Sequence, residues 1–134
     1  MNFFTKLYAR TYQIVFYLLS LFINFREPET LLGHEKLLQL PDLLTKLGKK
    51  KALLVTDSTI LKLGLLDPLM RSFVLKFYPF AVYSDVVANP TIQNVEEGLK
   101  IYQEEECDCL IAVGGGSSID CAKCIAARSS NPKK

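Results

Sequence analysis

The chain has 134 residues, 49% of them apolar, which is enough for one modest core, and its 16 Lys and Arg against 14 Asp and Glu leave a formal charge of +2. Acids and bases are interspersed, so there is no basic face for nucleic acid; Lys49 to Lys51 and Lys133-Lys134 read as solvated ends of a helix and of the chain. With His34 as its single histidine, in an expected loop after Gly33, the chain cannot build a three-histidine metal site and has one ring for any Ser/His/Asp relay.

The first twenty-five residues read as an amphipathic helix. Lys6, Arg10, Gln13, Tyr17, Ser20 and Asn24 recur at steps of four and three and form a polar stripe, while Phe4, Leu7, Val15, Leu18, Leu19, Phe22 and Ile23 take up most of the remaining circumference. The apolar run is shorter than the roughly 20 residues that cross a bilayer. No small-residue cleavage site precedes Arg26-Glu27-Pro28, so a signal peptide is not expected and a cytoplasmic location is. Two roles stay open for this helix: docking on its own domain or a partner subunit, as in a homo-oligomer, or lying on a membrane surface. The expected division is residues 1–27 for the helix and 28–134 for an α/β domain.

Pro41 suits the first turn of a helix that buries Leu43, Leu44 and Leu47, with Gly48 as its C-terminal cap. The period then changes. Ala52 to Thr56 is a continuous apolar run of the kind found in a buried parallel strand, followed by Asp57 and Ser58. A helix over about Asp67 to Lys76 leads to a second strand near Phe80 to Tyr83. Thr91 is a good N-cap for a helix that runs to about Glu105, with Ile92, Val95, Leu99 and Tyr102 on one face. The third strand, Cys109 to Val113, is followed by Gly114-Gly115-Gly116-Ser117 and a last helix over Ile119 to Ala127, where Ser117 and Asp120 form an S-x-x-D capping pattern. Alternation of strand and helix predicts an α/β fold with a parallel sheet of three to four strands, flanking helices and right-handed crossovers.

In such a sheet the ligand crevice lies outside the carboxyl ends of the strands. Asp57, Asp85, Asn89 and the glycine loop each follow a strand, so all can border one crevice. Glycines between a strand and a helix let an anion approach the backbone, where free N–H groups and the helix dipole favour it; a diphosphate fits there. The spacing departs from G-x-G-x-x-G, since Ile119 stands where the third glycine belongs. A tight corner with no ligand is the plain alternative. Substituting Gly115 by Val is expected to crowd the loop and strain its backbone. Asp57 either accepts hydrogen bonds from both hydroxyls of an adenosine ribose, which favours NAD over NADP, or caps the local turn with Ser58. Asn89 precedes Pro90, which predicts extended backbone and an amide aimed at the nucleotide, or a simple turn. Cys107, Cys109, Cys121 and Cys124 are expected as reduced thiols. Cys121 and Cys124 have C-x-x-C spacing inside the last helix; packing is the simpler role, and a place in the first turn would lower the Cys121 pKa.

Val55-Thr56-Asp57, Asn89-Pro90-Thr91 with its helix, and Gly114 to Ser117 with Asp120 and Lys123 together resemble the N-terminal part of the iron-containing (group III) alcohol dehydrogenases. The likeness spans about Leu31 to Lys134. It implies a Rossmann-like domain that binds NAD(P), with Asp57 at the adenosine ribose, Asn89 lining the cleft, Gly116 and Ser117 holding the diphosphate, and Gly114, Gly115 and Asp120 as further cofactor-binding residues. It further implies oxidation of a primary alcohol, or reduction of an aldehyde, at iron or zinc in a helical C-terminal domain. The metal's aspartate and histidines, and a second nucleotide loop, are not in this sequence. The resemblance therefore implies a partial member that holds the cofactor, has no catalytic or metal-ligating residue of its own and is inactive alone. The alternative is a non-catalytic nucleotide-binding or membrane-surface module that works through its first helix.

Overall fold

The computed structural model describes residues 3–20, 30 and 32–131. The chain falls into two compact units, Met1–Leu31 and Leu32–Lys134. The first contains helix α1 (Phe3–Ser20). Every described side chain from Tyr8 to Leu19 is exposed, apolar ones included. Tyr8, Tyr12 and Phe16 follow one another at i,i+4, with ring centroids 6.4 and 5.2 Å apart. No described helix is long and apolar enough to cross a membrane. The expected continuation of the polar stripe to Asn24, Arg26 to Pro28, and Lys133-Lys134 lie outside the described residues.

The second unit is a three-layer α/β sandwich. Strands β1 (Ala52–Val55), β2 (Phe80–Tyr83) and β3 (Cys109–Ala112) are all parallel, in the order β2-β1-β3. All four β1 residues are 0% exposed, as a strand covered on both faces requires. Alternation along β1 divides the core. Leu53 and Val55 pack with Tyr83, Val95, Leu99, Cys121 and Ile125 beneath helices α5 (Ile92–Glu104) and α6 (Gly116–Ser130). Ala52 and Leu54 face Leu44, Leu66, Leu69 and Phe73 beneath α2 (Leu40–Lys46) and α4 (Asp67–Leu75).

Most local expectations hold, and those that fail do so for identifiable reasons. Pro41 lies in the first turn of α2 and Gly48, at φ 71°, follows its end; of the three leucines expected inside, Leu44 is buried, Leu43 is half-buried and Leu47, the C-cap, is 64% exposed. A short helix α3 (Ser58–Lys62) was not expected; Asp57 caps it. His34 opens a 3-10 turn (His34–Gln39) and not a loop. Thr91 caps α5 in a full capping box with Asn94.

Cys121 is buried in the second turn of α6, because the helix starts at Gly116. Burial, then the neighbouring Cys124, pushes its thiol pKa up, opposite to the lowering a first-turn position predicts.

Asp108 joins β3 to the entrance of β1. Its carboxylate accepts from Lys50 N at 2.9 and 3.0 Å and from Lys51 N at 3.1 Å, while its own N–H donates to the Lys51 carbonyl at 2.9 Å. Burial works against the charge, but the Lys51 and Lys50 amides outweigh it and hold this carboxyl below the usual Asp range. A depressed folded pKa contributes stability that is present above the unfolded pKa, near 3.9, and is lost as pH falls through the folded value. Asp108→Asn is expected to cost about 1 kcal/mol at pH 7, with a much smaller difference at pH 3. Urea midpoints at the two pH values check this, and a difference that does not change with pH contradicts it.

Candidate cofactor-binding site

The order β2-β1-β3 sends the chain from the central strand first to one side and then to the other, so the loops leaving β1 and β3 diverge and open a crevice. A cleft of about 500 Å³ lies at this end of the sheet. It is lined by Asp57, Ser58 and Thr59 after β1, Val86, Val87 and Ala88 after β2, and Gly115 to Ser118 after β3.

The glycine loop begins where β3 ends. Val113 N still donates to Val55 O at 2.9 Å, and the next residue, Gly114, turns to φ 138°, which side-chain-bearing residues rarely adopt. A Cβ on Gly114 would also come within 2.7 Å of Ser118 Oγ and 3.5 Å of Asp57 Oδ2. Gly114 is therefore the residue that folds the loop back against Asp57. Gly115 has φ −84° and ψ −167°, ordinary extended backbone, and is the N-cap of α6 with no side-chain cap bond.

The helix closes its first turn with Ile119 N to Gly115 O at 3.2 Å, so it starts before Ser117. This overturns the S-x-x-D cap: Ser117 is the second helical residue, and exposed Asp120 stands 3.7 Å from Lys123 Nζ, outside the cleft lining. A glycine cap contributes no side-chain acceptor, and the amides of Gly116, Ser117 and Ser118 have no preceding helical carbonyl to reach. All three residues line the cleft. A Cβ on Gly115 or Gly116 would meet nothing within 4 Å. The expected crowding and strain at Gly115 are thus absent; strain belongs to Gly114, and a side chain at Gly115 would project into open cleft.

Of the two roles expected of Asp57, the structure shows the cap. Its Oδ1 accepts from Thr59 N at 2.9 Å and Ile60 N at 3.0 Å, capping α3, which leaves Oδ2 on the side of the glycine loop. Asn89 is exposed, is not among the cleft-lining residues and has φ 58°. Its backbone is left-handed, not extended, a conformation asparagine tolerates better than most residues, and one that also avoids the right-handed region Pro90 disfavours. Asp85 is likewise exposed and off the cleft, with its carbonyl bonded to Asn94 Nδ2 at 3.1 Å.

Of the expected residues, then, Asp57, Gly115, Gly116 and Ser117 line the cleft, Gly114 shapes it, and Asn89 and Asp120 do not line it. Sequence reading passed over Ser58, Thr59, Val86, Val87, Ala88 and Ser118. Nothing in residue type marks Val86 to Ala88, which reach the cleft only through the path of the loop after β2. Ser118 had a signal, since a small residue is required beneath a tight glycine turn; it is 1% exposed.

The sequence pattern of the iron-containing alcohol dehydrogenases matches residues 28–134. The chain belongs to this family. It is 41% identical over 87 residues to alcohol dehydrogenase 4 of Schizosaccharomyces pombe, covering 65% of this chain and 21% of that protein. Its fold superposes on 1,3-propanediol oxidoreductase with a TM-score of 0.70 at 34% identity, covering 74% of this chain and 26% of that one. NADH-dependent butanol dehydrogenase A from Thermotoga maritima gives a TM-score of 0.71 at 26% identity, covering 80% and 27%. The chain thus spans about a quarter of the length of these relatives. The match makes it an alcohol-dehydrogenase-family α/β domain with a Rossmann-like sheet. Among the described residues no three His, Cys, Asp or Glu side chains come together as ligands for the family's iron, so no step is assigned to a metal.

Proposed function

We propose that this chain supplies the nicotinamide dinucleotide site of a dehydrogenase that interconverts small primary alcohols and aldehydes, with NAD(H) preferred over NADP(H). The observation that carries this reading is the uncapped N-terminus of α6, which opens into a cleft whose wall at Gly115 and Gly116 has no side chain. Amides of Gly116, Ser117 and Ser118 would donate to the diphosphate, and the helix dipole would favour its charge. Gly114 keeps the loop close to Asp57, and the absence of Cβ at Gly115 and Gly116 makes room for the phosphates. On the facing side Asp57 Oδ2 would accept from ribose hydroxyls, while its charge would repel a 2′-phosphate. When bound, the nicotinamide supplies the hydride acceptor for an alcohol or the donor for an aldehyde. The residues here bind and orient; none is assigned to proton transfer or to substrate. The names of the relatives, which include a butanol dehydrogenase and a 1,3-propanediol oxidoreductase, support the substrate class.

Titration of the 134-residue chain with NADH is expected to enhance and blue-shift nicotinamide fluorescence, with NADPH binding at least about tenfold more weakly because of the Asp57 charge. Unchanged fluorescence at millimolar NADH would refute the reading, and equal affinity for both would refute the role of Asp57.

A further inference from the structure

The segment Ser84 to Pro90 carries one wall of the cleft on Val86, Val87 and Ala88, and among the described residues its one backbone tie to the sheet is Val86 N to Thr56 O at 3.4 Å. Both of its ends converge on one side chain. Asn94, 8% exposed, donates through Nδ2 to the Asp85 carbonyl at 3.1 Å and to Tyr83 Oη at 3.3 Å. Its Oδ1 accepts from Thr91 N and from Thr91 Oγ1, each at 3.3 Å. A backbone N–H on one side and a backbone carbonyl on the other cannot exchange roles, so they fix which way the amide points. Tyr83 Oη in turn donates to Glu97 Oε2 at 3.4 Å. Burial pushes the Tyr83 phenol up to about 12, so it remains a protonated donor throughout the neutral range.

The helix alone does not explain this residue. A capping box needs only an acceptor at its third helical position, and glutamate or glutamine ordinarily fills it. Unlike glutamate, asparagine at this position carries a donor half, and here it is spent on Tyr83 and Asp85 before the helix and not on the helix. We propose that Asn94 is a positioning residue for the cofactor cleft: its one amide ties Tyr83 and Asp85 at the start of the loop to Thr91 at its end, and so sets the Val86 to Ala88 wall opposite the α6 N-terminus. The proposal rests on the nucleotide reading of that cleft.

Two variants of the full chain separate the two halves of the amide. Asn94→Asp keeps the acceptor for Thr91 and removes the donor to Asp85; Asn94→Ala removes both. Thermal melting, hydrogen exchange at the Val86 amide and NADH affinity at 25 °C are the readouts. Asn94→Asp is expected to melt above Asn94→Ala, because the cap survives. Both are expected to lose about tenfold in Val86 protection and about tenfold in NADH affinity, the scale of one lost buried hydrogen bond. A purely structural role predicts instead that affinity follows melting temperature, and wild-type affinity and Val86 protection in either folded variant would overturn the proposal. If the wild-type chain itself fails to bind NADH, the nucleotide reading falls, and Val86 exchange still reports whether Asn94 holds the loop.

Discussion

Gly115→Val is expected to abolish the proposed nucleotide binding and to leave the fold standing. The backbone at Gly115, φ −84° and ψ −167°, is the extended conformation that β-branched residues prefer, and a Cβ there meets no protein atom within 4 Å. Replacing glycine also restricts the unfolded chain, but Gly115 is the N-cap of α6 and valine is a poor cap, so a net loss of up to about 1 kcal/mol is expected, too little to unfold the domain. Binding is another matter. The valine methyls project into the space where a diphosphate would approach the amides of Gly116 and Ser117, and charge-assisted hydrogen bonds of that kind contribute about 1.5–3 kcal/mol each. Losing one or two of them weakens NADH by roughly a hundredfold or more. Calorimetric titration beside a urea melt checks both halves, and wild-type affinity in a stable mutant would remove the phosphate role from this loop. The neighbouring Gly114 would make a poor test, because a side chain there strains the backbone and strikes Ser118, so that lost binding could not be separated from lost fold.

The largest loss of stability is expected far from the loop, at Gly98→Val. Gly98 of α5 faces Ile125 of α6, and a Cβ on Gly98 would lie 2.5 Å from Ile125 Cδ1 and 3.1 and 3.2 Å from the Tyr83 ring. Ile125 is 0% exposed and Tyr83 is 2% exposed, so a shift of either side chain is made against other core residues. Valine gains helix propensity over glycine, worth less than about 1 kcal/mol, but the overpacking of a close-packed core outweighs it. We expect a net loss of about 3 kcal/mol for valine, read as a lower denaturation midpoint at unchanged slope. Ile125→Val deletes the clashing Cδ1, and in the Gly98→Val background it should restore part of that loss, a non-additive result for two residues in contact. A Gly98→Val chain as stable as wild type would mean that the two helices do not pack this closely.

How much was readable beforehand depended on whether the signal was local. The buried run Ala52 to Val55 and the Thr91 cap express their structure through neighbours in sequence and were placed correctly, whereas the strand–glycine–helix junction was located but its helix was expected to start too late. The S-x-x-D pattern misled because a glycine cap leaves no side-chain signature, so the first serine that could cap was read as the one that does. Asn89 misled for a related reason: the residue after it excludes the right-handed region without saying which of the remaining conformations is taken. Gly98 and Asn94 gave no warning, since what they do depends on Ile125, Tyr83 and Asp85, which reach them only after the helices have packed on the sheet.

By itself, the order of residues decided the fold class, the kinship with iron-containing alcohol dehydrogenases and the glycine junction as the place to look for a phosphate, because hydrophobic period and glycine content act over a few neighbouring bonds. Only the tertiary structure decided the strand order that opens the cleft between β1 and β3, the loop after β2 that walls it, and the division of the Asp57 carboxylate between a cap and the crevice. Those depend on which surfaces meet when separate segments bury their apolar faces together, a condition set by the whole chain at once.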